Sequence, residues 1–532
     1  MARAHSFAFL GVATILGACG GSGGGTGSGG GNTGGTPTPT ISTLPVTLSA
    51  SSTNYSLAEG GTRGPISFTA SYTGTPSGTV VPDVQISGGR VALTSAVASG
   101  ASYAVQLAAA EFQPAGQTAN TVTFRLCTDA ACGTVYPGST QTFTVNLTVQ
   151  LKDWSTFQRD AAHTGYVPVK YDAGKFPAAA TWQVSTGTSR PSAVAARAGS
   201  VFANFYAEPT SNRVETRSIA ADTGAIRWRY DLGRSHDMSA PSYANGRVVS
   251  AVMDSSSGSV PMPVIDANDG RVLRVLSYAS QFAQAGAPVP AGDDLFHQAG
   301  YYGNVVYAYN TATGISTWSS NAGNGIGIVQ QGESLGVDDR YVYFYSGGAL
   351  NIFNRADGTV YRSIPDPFFS HAGLSYYGSY YGAPILDGKG NIFTFSDNRG
   401  STQPSAIIAF ALDQTRFVWR TSGTYVGHPA LRGGKLYAPR SNSTIIDVID
   451  TATGSVTASI DVGATKAKLT SNVIATESHL FVGSERETYA IDLLAGGNPV
   501  VWTAATGGAL ALSPDNLLIV TGSTGMTAYR LN

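Results

Sequence analysis

From about Ile41 to Gln150, apolar and polar residues alternate in short runs. Thr142 to Val149 (TFTVNLTV) sets Phe143, Val145, Leu147 and Val149 at every second position, and Val122, Phe124 and Leu126 repeat the pattern upstream. A period of two puts one face of a strand in a core and the other in water. The runs PVTLSA, GPISFTASY, VPDVQIS, RVALTSA and SYAVQLA precede these, parted by Gly, Ser and Asn turns. About 110 residues of such strands predict an immunoglobulin-like β-sandwich over 41–150. The segment contains no Trp, so the cysteine-flanked tryptophan of antibody-type domains is absent.

Beyond residue 180 the pattern repeats at a longer period. The turns IAADTGAIRW (219–228), IDANDGRVLR (265–274), YNTATGISTW (309–318), FNRADGTVYR (353–362), FALDQTRFVW (410–419), IDTATGSVTA (449–458) and IDLLAGGNPVVW (491–502) share one design. An apolar residue ends one strand, Asp or Asn bonds the turn backbone, Gly supplies a positive φ, and an apolar strand leads out. Gly224, Gly270, Gly314 and Gly358 recur at about 44 residues, the period of a four-stranded propeller blade. Trp228, Trp318 and Trp419 close the outer strands and are placed to pack between blades. The last unit, Gly508 to Leu531, has three strands and no outer one, and Trp182-Gln183-Val184 is the candidate to supply it. The fold class is therefore all-β: an immunoglobulin-like sandwich, then an eight-bladed β-propeller over 151–532.

The turns resemble the pyrroloquinoline-quinone-like propeller repeat. The opening Trp154 to Tyr166 (WSTFQRDAAHTGY) adds to this, because members of the group begin with such a segment before the first blade. The repeat implies comparison with quinone-dependent dehydrogenases, which carry an adjacent cysteine pair beside the cofactor and acidic and Asn ligands for calcium. No Cys lies in 151–532; some related dehydrogenases also lack the pair, so its absence disfavours such an enzyme without excluding it. No cofactor, no metal and no enzyme activity is expected, and a pyrroloquinoline-quinone-dependent dehydrogenase remains the least favoured alternative. No Walker loop, HExxH or GxSxG constellation is present either. The chain is similar instead to the propeller lipoprotein of the outer-membrane β-barrel assembly machine. That resemblance implies a non-enzymatic protein-interaction scaffold, although that family lacks a leading sandwich. The competing expectation is a surface polysaccharide or glycan binder.

Composition narrows the classes. Charged residues make up 12% and the net charge is -1, so no field collects nucleic acid, and no nucleic-acid partner is expected. Phe7 to Ala18 is too short to span a bilayer and has the length of a secretory signal core. It ends in Leu16-Gly17-Ala18-Cys19, which resembles a bacterial lipobox. That likeness implies a signal peptide over 1–18, lipidation of Cys19 and a membrane anchor. Gly20 and Gly21 after the cysteine, as in sorted lipoproteins, imply the outer membrane, facing the periplasm or the exterior. The Gly-rich stretch to residue 40 reads as a flexible tether. The remaining cysteines, Cys127 and Cys132, are expected to form a disulfide in an oxidising compartment.

Candidate partner-binding residues lie between blades. His236-Asp237, His371 and His428 each fall before an inner strand, near one rim of the channel. Tyr376, Tyr377, Tyr380 and Tyr381 concentrate in the longest repeat, where exposed rings suit a protein partner or a sugar. His163 and His297 are assigned no role.

Overall fold

The computed structural model describes residues 41–185, 191–207, 212–235, 237–253, 258–280, 286–300, 305–321, 329–331, 334–346, 348–369, 377–379, 383–396 and 405–532. The alternating segment forms two four-stranded sheets. Val46–Leu48, Ile66–Tyr72, Ser102–Ala109 and Val91–Ser99 make one, and Ser52–Ala58, Gln141–Gln150, Gly116–Cys127 and Val81–Ile86 make the other. Phe143, Val145 and Leu147 point inward as their spacing requires, and Phe68 of the facing sheet stacks on Phe143 at 4.4 Å. Each such side chain contributes roughly 1.5–3 kcal/mol by leaving water.

Residues 182–532 form a β-propeller. Among the described residues, eight antiparallel sheets follow one another at 195–234, 242–278, 289–321, 336–365, 385–420, 430–461, 474–504 and 509–530, numbered here 1 to 8. The fourth strand of sheet 8 comes from the other end of the chain: Trp182–Ser185 pairs antiparallel with the last strand, Trp182 opposite Ala528. This closes the sheet that the C-terminus leaves incomplete. Middle strands such as Tyr341–Tyr345 and Ala406–Ala411 are buried on both faces because sheets lie on either side of them, so their sequences are continuous apolar runs.

The repeated turn residues join neighbouring sheets. In IDTATG, Asp450 Oδ1 accepts from the Ala452 and Thr453 amides at 3.0 Å, and Gly454 takes φ 72°. The absent Cβ matters as much as the φ: one placed on Gly454 would lie 2.6 Å from the Trp419 ring of sheet 5. Trp419 Nε1 also donates to Thr451 O at 2.9 Å. Trp182, Trp228 and Trp318 lie in the same way against Gly224, Gly270 and Gly358, donating to Ala221, Ala267 and Arg355 carbonyls. Each indole is thus an apolar wedge with one satisfied polar atom, a latch between consecutive sheets.

Candidate functional site

Antiparallel pairing fixes what each end of the ring carries. The hairpins between first and second and between third and fourth strands lie at one end, called here the turn end. The remaining hairpins and the connections between sheets lie at the other, the connection end. Asp237–Met238, between sheets 1 and 2, pairs there with Val252–Met253. Tyr377–Ser379, between sheets 4 and 5, pairs in parallel with Val329–Gln331, between sheets 3 and 4. Only the backbones of Asp237 and Tyr377 are described. His236, His371, Tyr376, Tyr380 and Tyr381 lie outside the described residues, as does Cys19.

The middle of the ring is filled by the segment that opens the propeller. The Trp154 amide donates to Ala196 O of sheet 1 at 2.9 Å, and the Tyr243 amide of sheet 2 donates to Ser155 O at 2.7 Å. Thr156 Oγ1 donates to Pro288 O at the edge of sheet 3. The amides of Val337, Leu386, Leu431 and Ala475, in sheets 4 to 7, donate to the carbonyls of Ala161, Ala162, Thr164 and Gly165 at 2.7–2.9 Å. Sheet 8 is reached through Asn472, which bonds both Leu510 backbone groups and donates to Gln158 Oε1 at 2.6 Å. One short segment thus ties together all eight sheets. The circuit is tight enough that Gln158, Arg159 and His163 take left-handed φ of 55°, 89° and 52°, a conformation costly for residues with a Cβ and held here by the surrounding bonds.

His428 is corrected by this geometry: it is not a rim residue open to a partner. It is 2% exposed, its Nδ1 3.0 Å from Pro429 O and Nε2 3.1 Å from Ala383 O, with Phe157 packed edge-on at 5.3 Å. His163, given no role from sequence, stands at the centre of the plug, Nδ1 and Nε2 each 2.6 Å from the Phe157 and Leu335 carbonyls. Those carbonyls favour a protonated ring, but burial outweighs them and pushes the pKa of His163 down. Burial, with His163 as a lesser cause, pushes His428 down to about 3. Burial thus disfavours the charged form of both rings.

Arg159 leaves the plug toward the sandwich. Its Nη2 lies 2.5 Å from both Glu59 oxygens, Nη1 donates to Tyr166 O, and the two side chains are only 6% and 9% exposed. Beside it, Asn516 in a hairpin of sheet 8 bonds both backbone groups of Ala115 at 3.0 Å, and the Lys170 amide donates to Phe112 O at 2.6 Å. The sandwich is thus seated on the turn end and bonded to the plug itself. The WSTFQRDAAHTGY motif marks Arg159 in the sequence, but nothing there marks its partner, Glu59, which lies 100 residues upstream in the sandwich. In the sandwich, Cys127 and Cys132 are joined as a disulfide with Cα atoms 5.0 Å apart. Nearby Asp83 pairs with Arg125 at 2.6 Å.

Residues 211–460 match the family model described as outer membrane protein assembly factor BamB. Among solved structures, quinohemoprotein alcohol dehydrogenase ADHIIG from Pseudomonas putida HK5 is similar over 71% of this chain and 80% of its own, at 12% identity and a TM-score of 0.50. BamB from Moraxella catarrhalis is similar over 54% of this chain and 79% of its own, at 17% identity and a TM-score of 0.39. No curated protein matches the sequence. The dehydrogenase likeness speaks to fold alone. With the repeated turns, the ring of sheets and the family-model match in agreement, the chain carries a β-propeller of pyrroloquinoline-quinone-like repeats behind an N-terminal β-sandwich.

Proposed function

We propose that this protein is a non-enzymatic scaffold of the bacterial outer membrane, anchored by a lipid on Cys19, that binds another protein through the connection end of its propeller. In this reading the leading sandwich is an immunoglobulin-like module and the eight sheets are the blades of one ring. The observation that carries the proposal is the filled channel. The axial space where a propeller could hold a small molecule is taken by Trp154 to Gly165, whose carbonyls consume inner-strand amides around the ring. The turn end is partly covered by the sandwich, which leaves the connection end as the broad surface for a partner. The match to an outer membrane protein assembly factor supports both the address and the kind of work.

Pyrroloquinoline quinone, which the repeat implies, finds no ready calcium site among the described residues. Its three carboxylates and an accompanying calcium ion call for cationic groups and a cluster of oxygen ligands. Among the described residues, the one group of three potential ligands close enough to share an ion is Asp83, Cys127 and Cys132, in the sandwich and with both sulfurs in the disulfide. Purified protein given pyrroloquinoline quinone and calcium is expected to show neither saturable binding by calorimetry nor dye-linked alcohol or sugar oxidation. Stoichiometric binding with turnover would replace the scaffold with an enzyme.

A further inference from the structure

At the junction between sheets 4 and 5, as at that between sheets 2 and 3 where Arg274 lies against Gly314, an arginine replaces the tryptophan latch. Arg362 stands where the indole would, opposite Ile352 as Trp318 stands opposite Ala308. The turn it meets carries Asp413 and Gln414 in place of the usual glycine, and Arg362 Nη1 donates to Gln414 O at 2.7 Å. Beside this junction, at the turn end, a cleft of about 720 Å³ opens between the two sheets. That volume lies within the roughly 300–1,000 Å³ of small-molecule sites. The sandwich is seated elsewhere on that end, against the plug and sheet 8.

The lining has a definite chemistry. Tyr361 is 42% exposed, its ring held at 4.6 Å from Tyr341. Around it stand Asp339 and Asp413 as acceptors and Arg340 and Lys389 as donors. Asp338, beneath them, accepts from the Arg340 and Tyr341 amides at 2.8 and 2.7 Å and from Tyr343 at 2.6 Å, so it braces the hairpin. An aromatic ring offers a stacking surface for the C–H face of a pyranose, carboxylates accept from neighbouring hydroxyls, and cationic side chains donate to ring and hydroxyl oxygens. Three carboxylates, Asp338, Asp339 and Asp413, face two cations, Arg340 and Lys389, so the lining has an acidic excess that disfavours a uronic or phosphorylated ligand, whereas an uncharged one satisfies both sets.

We infer that this cleft is a binding site for a neutral oligosaccharide. The site is independent of the scaffold reading, since it lies at the opposite end of the ring from the proposed partner surface.

The test titrates the full chain with maltohexaose, cellohexaose and laminarihexaose, with oligogalacturonate as the acidic comparison. At least one neutral hexasaccharide is expected to bind with a submillimolar Kd. Tyr361→Ala should weaken it about tenfold, in line with loss of an aromatic contact, while leaving the protein folded at the temperature of the titration. A second variant, R362W with Q414G, restores the latch residues beside the cleft and should abolish binding in a protein at least as stable. No binding of any neutral probe at millimolar concentration, unchanged affinity in Tyr361→Ala, or preference for oligogalacturonate would each overturn the assignment.

Discussion

Glu59→Ala lowers the unfolding free energy by about 3–5 kcal/mol, because it strands the Arg159 guanidinium in the plug without its counter-charge. Both side chains are nearly inaccessible to water, so solvent cannot replace the lost partner. Replacing the pair together, Glu59→Leu with Arg159→Met, removes the buried charge with its partner and is expected to recover most of the loss. Denaturant titration followed by tryptophan fluorescence reports it well, since Trp154 lies in the plug and the other tryptophans in the ring. A Glu59→Ala protein as stable as the wild type would show that the sandwich is seated by the Asn516–Ala115 and Lys170–Phe112 contacts without the ion pair.

Acidification is the second large effect. His297 and His428 are fully enclosed, and burial pushes each down to about 3. His297 has no hydrogen-bond partner for either ring nitrogen among the described residues; it lies edge-on to Tyr278 at 4.6 Å. In the unfolded chain both titrate near 6.5. Below that pH the unfolded state binds protons that the folded state does not, so stability is full above about 6.5 and falls as pH drops toward 3. From 6.5 to 5 each ring costs up to about 2 kcal/mol, or about 4 kcal/mol for the two. His163 and His479, also pushed down by burial, act in the same direction. His297→Leu should therefore flatten the pH dependence of Tm between 6.5 and 5 while changing little at pH 8. A variant with the wild-type slope would mean that His297 titrates normally in the fold.

The repetitive parts of the molecule were legible because their determinants are local. Gly454 and its counterparts mark the turns by φ and close approach, Trp182, Trp228, Trp318 and Trp419 mark four of the junctions, and Trp182 is matched to the last sheet by counting strands. The plug was not legible, because it has neither period. Residues 154–166 act through backbone carbonyls bonded to sheets up to hundreds of residues away, and left-handed Gln158, Arg159 and His163 break any strand or helix pattern. The same gap explains His428. It resembled His236 and His371 in preceding an inner strand, yet Phe157 and the plug enclose it. Tyr361 carries no signal in the sequence because its neighbours in the cleft come from three separate turns.

A sealed propeller that binds its partner must do so through its connection end. Site-specific photocrosslinking in membranes tests it, with a photoreactive residue at Tyr377 on the connection end and, separately, at Asp357 on the turn end. The Tyr377 probe is expected to capture a defined outer-membrane protein and the Asp357 probe is not. Capture of the same protein from Asp357 alone, or of none from either position in membranes where the full chain is lipid-anchored, would contradict it.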